Sequence, residues 1–125
     1  MNNNNIMKNS YPNIFTFDKK FLKKATIILN KGGVIGLPTE TVYGLGGDAY
    51  TKKSVEKIFK LKGRPRSNPL IVHYHNFNDA VKDIVINNHF IKLYKYFCPG
   101  PITFILKKKI NSRIHPLVSA NLNTV

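Results

Sequence analysis

Three short apolar runs, at residues 34–37, 70–74 and 102–106, are separated by stretches in which apolar residues recur at helical spacing. This alternation restricts the chain more than any other feature. A run of four or five apolar residues is the length of a buried strand, and strands that alternate with helices stack into layers. The fold class expected is α/β: a twisted mixed sheet with flanking helices.

The boundaries follow from local chemistry. Asp18 stands at an N-cap position, and Phe21, Leu22, Ala25, Ile28 and Leu29 then form one helical face that Gly32 and Gly33 close. After the run at 34–37 comes a loop, and Thr51 caps a second helix with Val55, Ile58, Phe59 and Leu61 on its apolar side; Gly63 and Pro65 end it. Two further helices are expected at 79–85 and 90–97, and the turn Pro99, Gly100, Pro101 delivers the third strand at 102–106. Asn123, Thr124 and Val125 read as the opening of another strand. The organisation expected is a tail over residues 1–17 and a partial domain over 18–125.

At 125 residues the chain suits one domain. Lys and Arg number 20 against 6 Asp and Glu, a formal charge of +14, which favours an anionic partner such as a phosphate, a nucleotide or a nucleic acid. The excess is mostly Lys in a chain also rich in Asn and Ile, so compositional bias accounts for it as readily as a designed surface. One cysteine, Cys98, excludes an internal disulfide and a cysteine-rich zinc site. The start MNNNNIMKNS has no apolar signal core, and no run approaches the roughly 18 apolar residues of a membrane span. A cytoplasmic protein with no membrane segment is expected.

Two polar stretches carry chemistry. In PTETVYGLGG, Pro38 to Gly47, threonines and a tyrosine are crowded beside three glycines. Gly44, Gly46 and Ala49 satisfy a loose dinucleotide pattern, but the next strand ends in His73, Tyr74, His75 and Asn76 without the acidic residue that would hold a ribose. The glycines serve either a tight turn or a ligand that approaches the backbone, while Thr39 and Thr41 serve either the loop or the ligand. In KLKGRPRSNPLIVH, Lys62, Arg64 and Arg66 surround a helix end. Cations there complement the helix dipole, yet three within five residues exceed that need, and Lys62 with Arg64 suits a phosphate. His73, His75, His89 and His115 show no metal-ligand spacing, Glu40 and Asp48 do not form an evident acid/base pair, and Lys107, Lys108 and Lys109 read as a solvated strand end.

PTETVYGLG, KGRPRSNPLIVH and PGPITFIL, in this order and at these distances, resemble the YrdC/Sua5 family of threonylcarbamoyl-AMP synthases. The likeness runs from about Phe21 to Val125. It implies a twisted α/β sheet around a basic cavity. It also implies an enzyme that joins L-threonine, bicarbonate and ATP, with Mg²⁺ carried by the ATP, into threonylcarbamoyl-AMP and pyrophosphate. The product would pass to the machinery that forms threonylcarbamoyladenosine at tRNA position 37. By motif position the resemblance makes Thr39 and His73 threonine contacts and Lys62, Arg64 and Thr103 ATP contacts. No covalent nucleophile and no protein-held metal are expected, because a carbamate attacking phosphorus needs positioning and charge.

One departure qualifies the resemblance. The family places a Ser-x-Asn pair after a strand that begins T-V-A-V-R, whereas the sequence here closes at Thr124 and Val125. Ser119 and Asn121 precede that position and are expected to be structural. The expectation is therefore a truncated copy lacking C-terminal strands. The alternatives are a basic RNA-binding module and a fragment without independent function.

Overall fold

The computed structural model describes residues 13–16, 18–39 and 41–125. Most of the expected tail, residues 1–12 and Phe17, lies outside the described residues, as does Glu40. Phe15 stacks on Phe21 with ring centroids 6.0 Å apart and carries the Lys24 ammonium 3.9 Å above its ring, so the segment before Asp18 is pinned to the first helix.

Helix α1 spans Lys19–Asn30 and begins where expected: the Asp18 carboxylate accepts the Phe21 N–H at 2.7 Å. The chain leaves it through Gly32, at φ +70°, and Gly33, whose N–H reaches the Ile28 carbonyl at 2.8 Å. Strand β1, Val34–Leu37, then pairs antiparallel with β2, Gly44–Gly47, with Ile35 opposite Gly46 and Leu37 opposite Gly44.

The glycines expected in a loop are thus a strand. Glycine has little intrinsic strand preference, and packing supplies the reason for its use. A Cβ on Gly46 would lie 2.5 Å from Leu37 Cδ2, and one on Gly47 would lie 2.5 Å from Ser54 Oγ. The bare backbone lets β1 and the next helix close over it.

That helix, α2, spans Lys52–Lys62. Thr51 occupies the N-cap, but its hydroxyl donates to Asp48 instead of capping the helix backbone. Gly63 ends the helix in the left-handed region at φ +57°. Ser54, fully buried, donates to the Gly33 carbonyl at 3.1 Å and accepts the Asp48 N–H at 2.9 Å, tying α2 to both strands. Val55 and Phe59 enter the core with Ile114 and Val118, whereas Leu61, placed on the same face by its spacing, is exposed.

The helix expected at 79–85 is a single turn, α3, Phe77–Ala80, after which the chain is drawn away: Val85 N–H bonds the Lys107 carbonyl at 2.8 Å. Helix α4, Asn88–Phe97, is capped by the Asn87 side chain on Phe90 N–H at 2.8 Å. Phe77, Phe90, Tyr94 and Phe104 form an aromatic cluster, Phe104 meeting Phe90 edge-on at 4.9 Å. A 3-10 turn at Pro116–Ser119 carries Val118 into the core.

The runs at 70–74 and 102–106 are extended, but among the described residues neither belongs to a sheet. The one sheet there is the two-stranded antiparallel β1–β2, so the layered α/β character holds while the mixed sheet does not form in these residues. Burial alternates along both runs, with Leu70, Val72 and Tyr74 packed against the core and Ile71 and His73 outward. Isolated bridges join Ile84 to Lys108 and Lys107 to Thr124, so the chain around Lys107 meets neighbours on both sides. Two of the three lysines expected to be solvated are engaged there: Lys108 Nζ donates to Ser119 Oγ at 2.9 Å and Lys109 Nζ to the Val81 carbonyl at 2.6 Å. Ser119 is buried, as its structural reading requires. No helix among the described residues is long and apolar enough to cross a membrane.

Candidate functional site

A cavity of about 790 Å³ lies against the runs 69–77 and 102–106 and is floored by Phe90, Tyr94 and Ile84. His73 and Thr103 both line it, one on each run, and both occupy outward positions of their alternation. Sequence spacing places them thirty residues apart, and the fold brings them to the rim of one cavity. Thr39, Lys62 and Arg64 do not line it.

Thr39 sits in the connection between β1 and β2 and organises it. Its hydroxyl donates to the Val42 carbonyl at 2.5 Å and accepts the N–H of Val42 at 3.3 Å and of Thr41 at 3.4 Å. This is the loop-stabilising role of a threonine in a tight turn. Tyr43, beside it, is almost fully exposed. The glycines that follow it are paired in strand β2.

Lys62 is the last residue of α2 and is exposed, with no ion-pair partner among the described residues. Arg64 behaves differently. Its Nε–H donates to the Asn68 carbonyl at 3.2 Å and its Nη2 to the Pro69 carbonyl at 2.9 Å, folding the loop after α2 around the guanidinium. Arg64 is therefore a loop brace, and the remaining donors of its fork stay available to an anion.

A carboxylate that sequence reasoning passed over organises the packing behind the cavity wall, next to Ile84 and Tyr74. Asp83 is 2% exposed and receives four hydrogen bonds. Ser112 Oγ donates to Oδ1 at 2.8 Å and Arg113 N–H to the same oxygen at 3.1 Å, while the Tyr50 and Tyr74 hydroxyls donate to Oδ2 at 2.6 Å and 3.0 Å. Burial pushes its carboxyl up, but the hydrogen bonds from Tyr50, Ser112, Tyr74 and Arg113 outweigh it and hold the group below the ordinary carboxylate value. Burial, with the hydrogen bond to Asp83 and its charge, pushes Tyr50 up to about 12 and raises Tyr74 as well. The partners are up to thirty-three residues away in sequence, so no local motif announces them. Among the described residues no three His, Cys, Asp or Glu side chains gather where a metal ion could be held.

The helices, the small sheet and the cavity between extended runs define an α/β domain with His73 and Thr103 on the cavity wall. Residues 27–125 match the Sua5_yciO_yrdC family profile, described as "Telomere recombination". The chain belongs to this family. It is 39% identical over 106 residues to the threonylcarbamoyl-AMP synthase of Pyrococcus abyssi and 40% identical over 106 residues to that of Bacillus subtilis, covering 83% of this chain and 30% of each relative. Its fold superposes on the crystal structure of P. abyssi Sua5 complexed with L-threonine with a TM-score of 0.81 at 34% identity, over 89% of this chain and 32% of that one. The chain thus spans about 30% of the length of these curated relatives.

Proposed function

We propose that this chain carries the substrate-facing portion of a threonylcarbamoyl-AMP synthase, which joins L-threonine, bicarbonate and ATP and releases pyrophosphate. The observation that carries the reading is the superposition on a relative bound to L-threonine, with Thr39, Lys62, Arg64, His73 and Thr103 present in their motifs.

In this reading an oxygen of threonine carbamate attacks the α-phosphorus and pyrophosphate leaves. Bringing two anions together requires fixed positive charge more than a base. Lys62, without an ion-pair partner among the described residues, supplies a mobile point charge for phosphate oxygens, and Arg64, held by two carbonyls, presents a preset fork. His73 and Thr103 face the same rim and suit the polar ends of threonine and nucleotide respectively. In this reading Mg²⁺ arrives as part of the ATP substrate, on its phosphate oxygens. The unstable adenylate is handed, in a cytoplasmic setting, to the enzymes that modify tRNA. The formal charge of +14 suits direct RNA contact in that hand-over.

Calorimetry tests the reading on the chain itself. L-threonine and ATP should each bind, and Lys62→Ala should weaken ATP binding roughly tenfold, the loss of one charge-assisted contact, with an unchanged far-ultraviolet spectrum and unchanged threonine binding. Equal ATP affinity in the variant returns Lys62 to helix capping and sinks the assignment.

A further inference from the structure

His73 reaches the cavity from the run 70–74, so whatever holds that run also holds the imidazole. The run is tied at both ends. At its start the Arg64 guanidinium holds the Asn68 and Pro69 carbonyls, and Leu70 N–H bonds the Val118 carbonyl at 2.8 Å. At its far end the Tyr74 hydroxyl donates to Asp83 Oδ2 at 3.0 Å. Leu70, Val72 and Tyr74 pack inward against the core, and His73 stands outward between two of them. Tyr74 is its immediate neighbour, whereas Pro69 is four residues away.

Asp83 is a rigid post. Apart from Tyr74 it receives the Tyr50 hydroxyl at 2.6 Å, Ser112 Oγ at 2.8 Å and Arg113 N–H at 3.1 Å, while its own N–H bonds the Ala80 carbonyl at 3.0 Å and its carbonyl accepts Lys109 N–H at 2.7 Å. A buried carboxylate so surrounded cannot swing without leaving donors unpaired. Of the four residues that donate to its side chain, Tyr74 alone lines the cavity. Phenylalanine would make the same apolar contacts there, so what the hydroxyl adds is a fixed distance from Asp83 to the extended backbone beside His73. His73 and Tyr74 share a peptide plane, and their side chains leave it on opposite faces, so a rotation of that plane moves both at once.

We propose that Tyr74 is a positioning residue for L-threonine: its bond to Asp83 sets the peptide plane it shares with His73 and so aims the imidazole into the cavity. The role rests on His73 contacting threonine, as proposed for the site. Tyr50 supplies the internal contrast. It donates to the same carboxylate oxygen by a shorter bond, but from a segment that does not line the cavity. A hub that served stability alone would make the two tyrosines equivalent.

Tyr74→Phe and Tyr50→Phe, each alone and combined with His73→Ala, test this by calorimetry and denaturant melts. Both should lower stability. Tyr74→Phe should raise the Kd for L-threonine about three- to tenfold, because a small misplacement of a contact is costly, with ATP binding unchanged; Tyr50→Phe should leave threonine binding within about twofold of the parent. In the His73→Ala background Tyr74→Phe should change threonine affinity by less than about twofold, since a residue that acts through another adds nothing once that other is gone. In the free chain, NMR should show the His73 ring Cε1–H resonance broadened by Tyr74→Phe and not by Tyr50→Phe, with that of His89 on α4 unmoved. Equal losses of threonine binding from the two tyrosine variants, losses that multiply with His73→Ala, or an unaltered His73 resonance would each overturn the proposal. A parent that binds no L-threonine sinks the function proposed above instead, and the ring resonance then decides the positioning role by itself.

Discussion

Replacing Asp83 by asparagine tests whether one buried charge holds three distant segments together. The carboxylate takes four hydrogen bonds, from Tyr50, Tyr74, Ser112 and Arg113 N–H. Each bond to a charged acceptor contributes about 1.5–3 kcal/mol, against about 0.5–1.5 for a neutral one. Asparagine keeps the shape. Its amide nitrogen can donate to two tyrosine oxygens, but those hydroxyls then lose their acceptor. A loss of about 1 kcal/mol per bond, lessened by the cheaper burial of a neutral amide, gives about 2–3 kcal/mol in all. With a urea slope of about 1–3 kcal/mol/M, the midpoint should fall by about 1–2 M at neutral pH, with the slope unchanged. Acid titration sharpens the result. The folded Asp83 carboxyl lies below its ordinary value of 3.8, so its stabilisation is present above that value and lost as pH falls through the lower folded one. Asp83→Asn should lose that part of the acid sensitivity. A midpoint within about 0.3 M of the parent at pH 7, or an unaltered acid limb, would refute the reasoning, since a surface substitution costs within about 0.5 kcal/mol.

Three other outcomes follow from the same fold. Ultraviolet titration of the six tyrosines should show Tyr50 ionising near 12 and Tyr74 later still, and stability held by these raised groups should persist below pH 10 and fall as pH rises through about 12; all six ionising together near pH 10 would contradict it. Ser54→Ala removes the bond to the Gly33 carbonyl and the acceptor of Asp48 N–H in a fully buried site, and should cost about 1–3 kcal/mol by denaturant melts. Arg64→Ala frees the Asn68 and Pro69 carbonyls and should speed amide exchange in residues 66–68 by at least about tenfold while leaving α2 protected.

What the sequence disclosed depended on whether the deciding contact was local. The caps at Asp18 and Gly63, the body of α2 and α4, and the membership of a family by motif were readable because each rests on residues a few positions apart. The glycines of β2 read as loop because a strand without side chains has no period to detect; the side chains that cover it belong to Leu37 and Ser54. The helix at 79–85 shortened because Val85 is claimed by Lys107, across a distance no window spans. At the site, His73 and Thr103 were legible as candidates, but their meeting at one cavity was not, because they stand thirty residues apart. Lys62 and Arg64 were legible as cations, but the bracing of a loop by Arg64 was not, because its acceptors are backbone carbonyls that any residue type could provide.

The glycine hairpin also bears on how such sequences drift. Leu37 already stands where a methyl on Gly46 would go, and Ser54 where one on Gly47 would go. An enlargement at Gly46 needs only the end of the Leu37 side chain to turn aside, whereas one at Gly47 meets a buried hydroxyl that holds two hydrogen bonds. The Gly47–Ser54 pair should therefore covary among homologues, and a saturation library varying one residue at a time would find Gly47 the less tolerant of the two glycines.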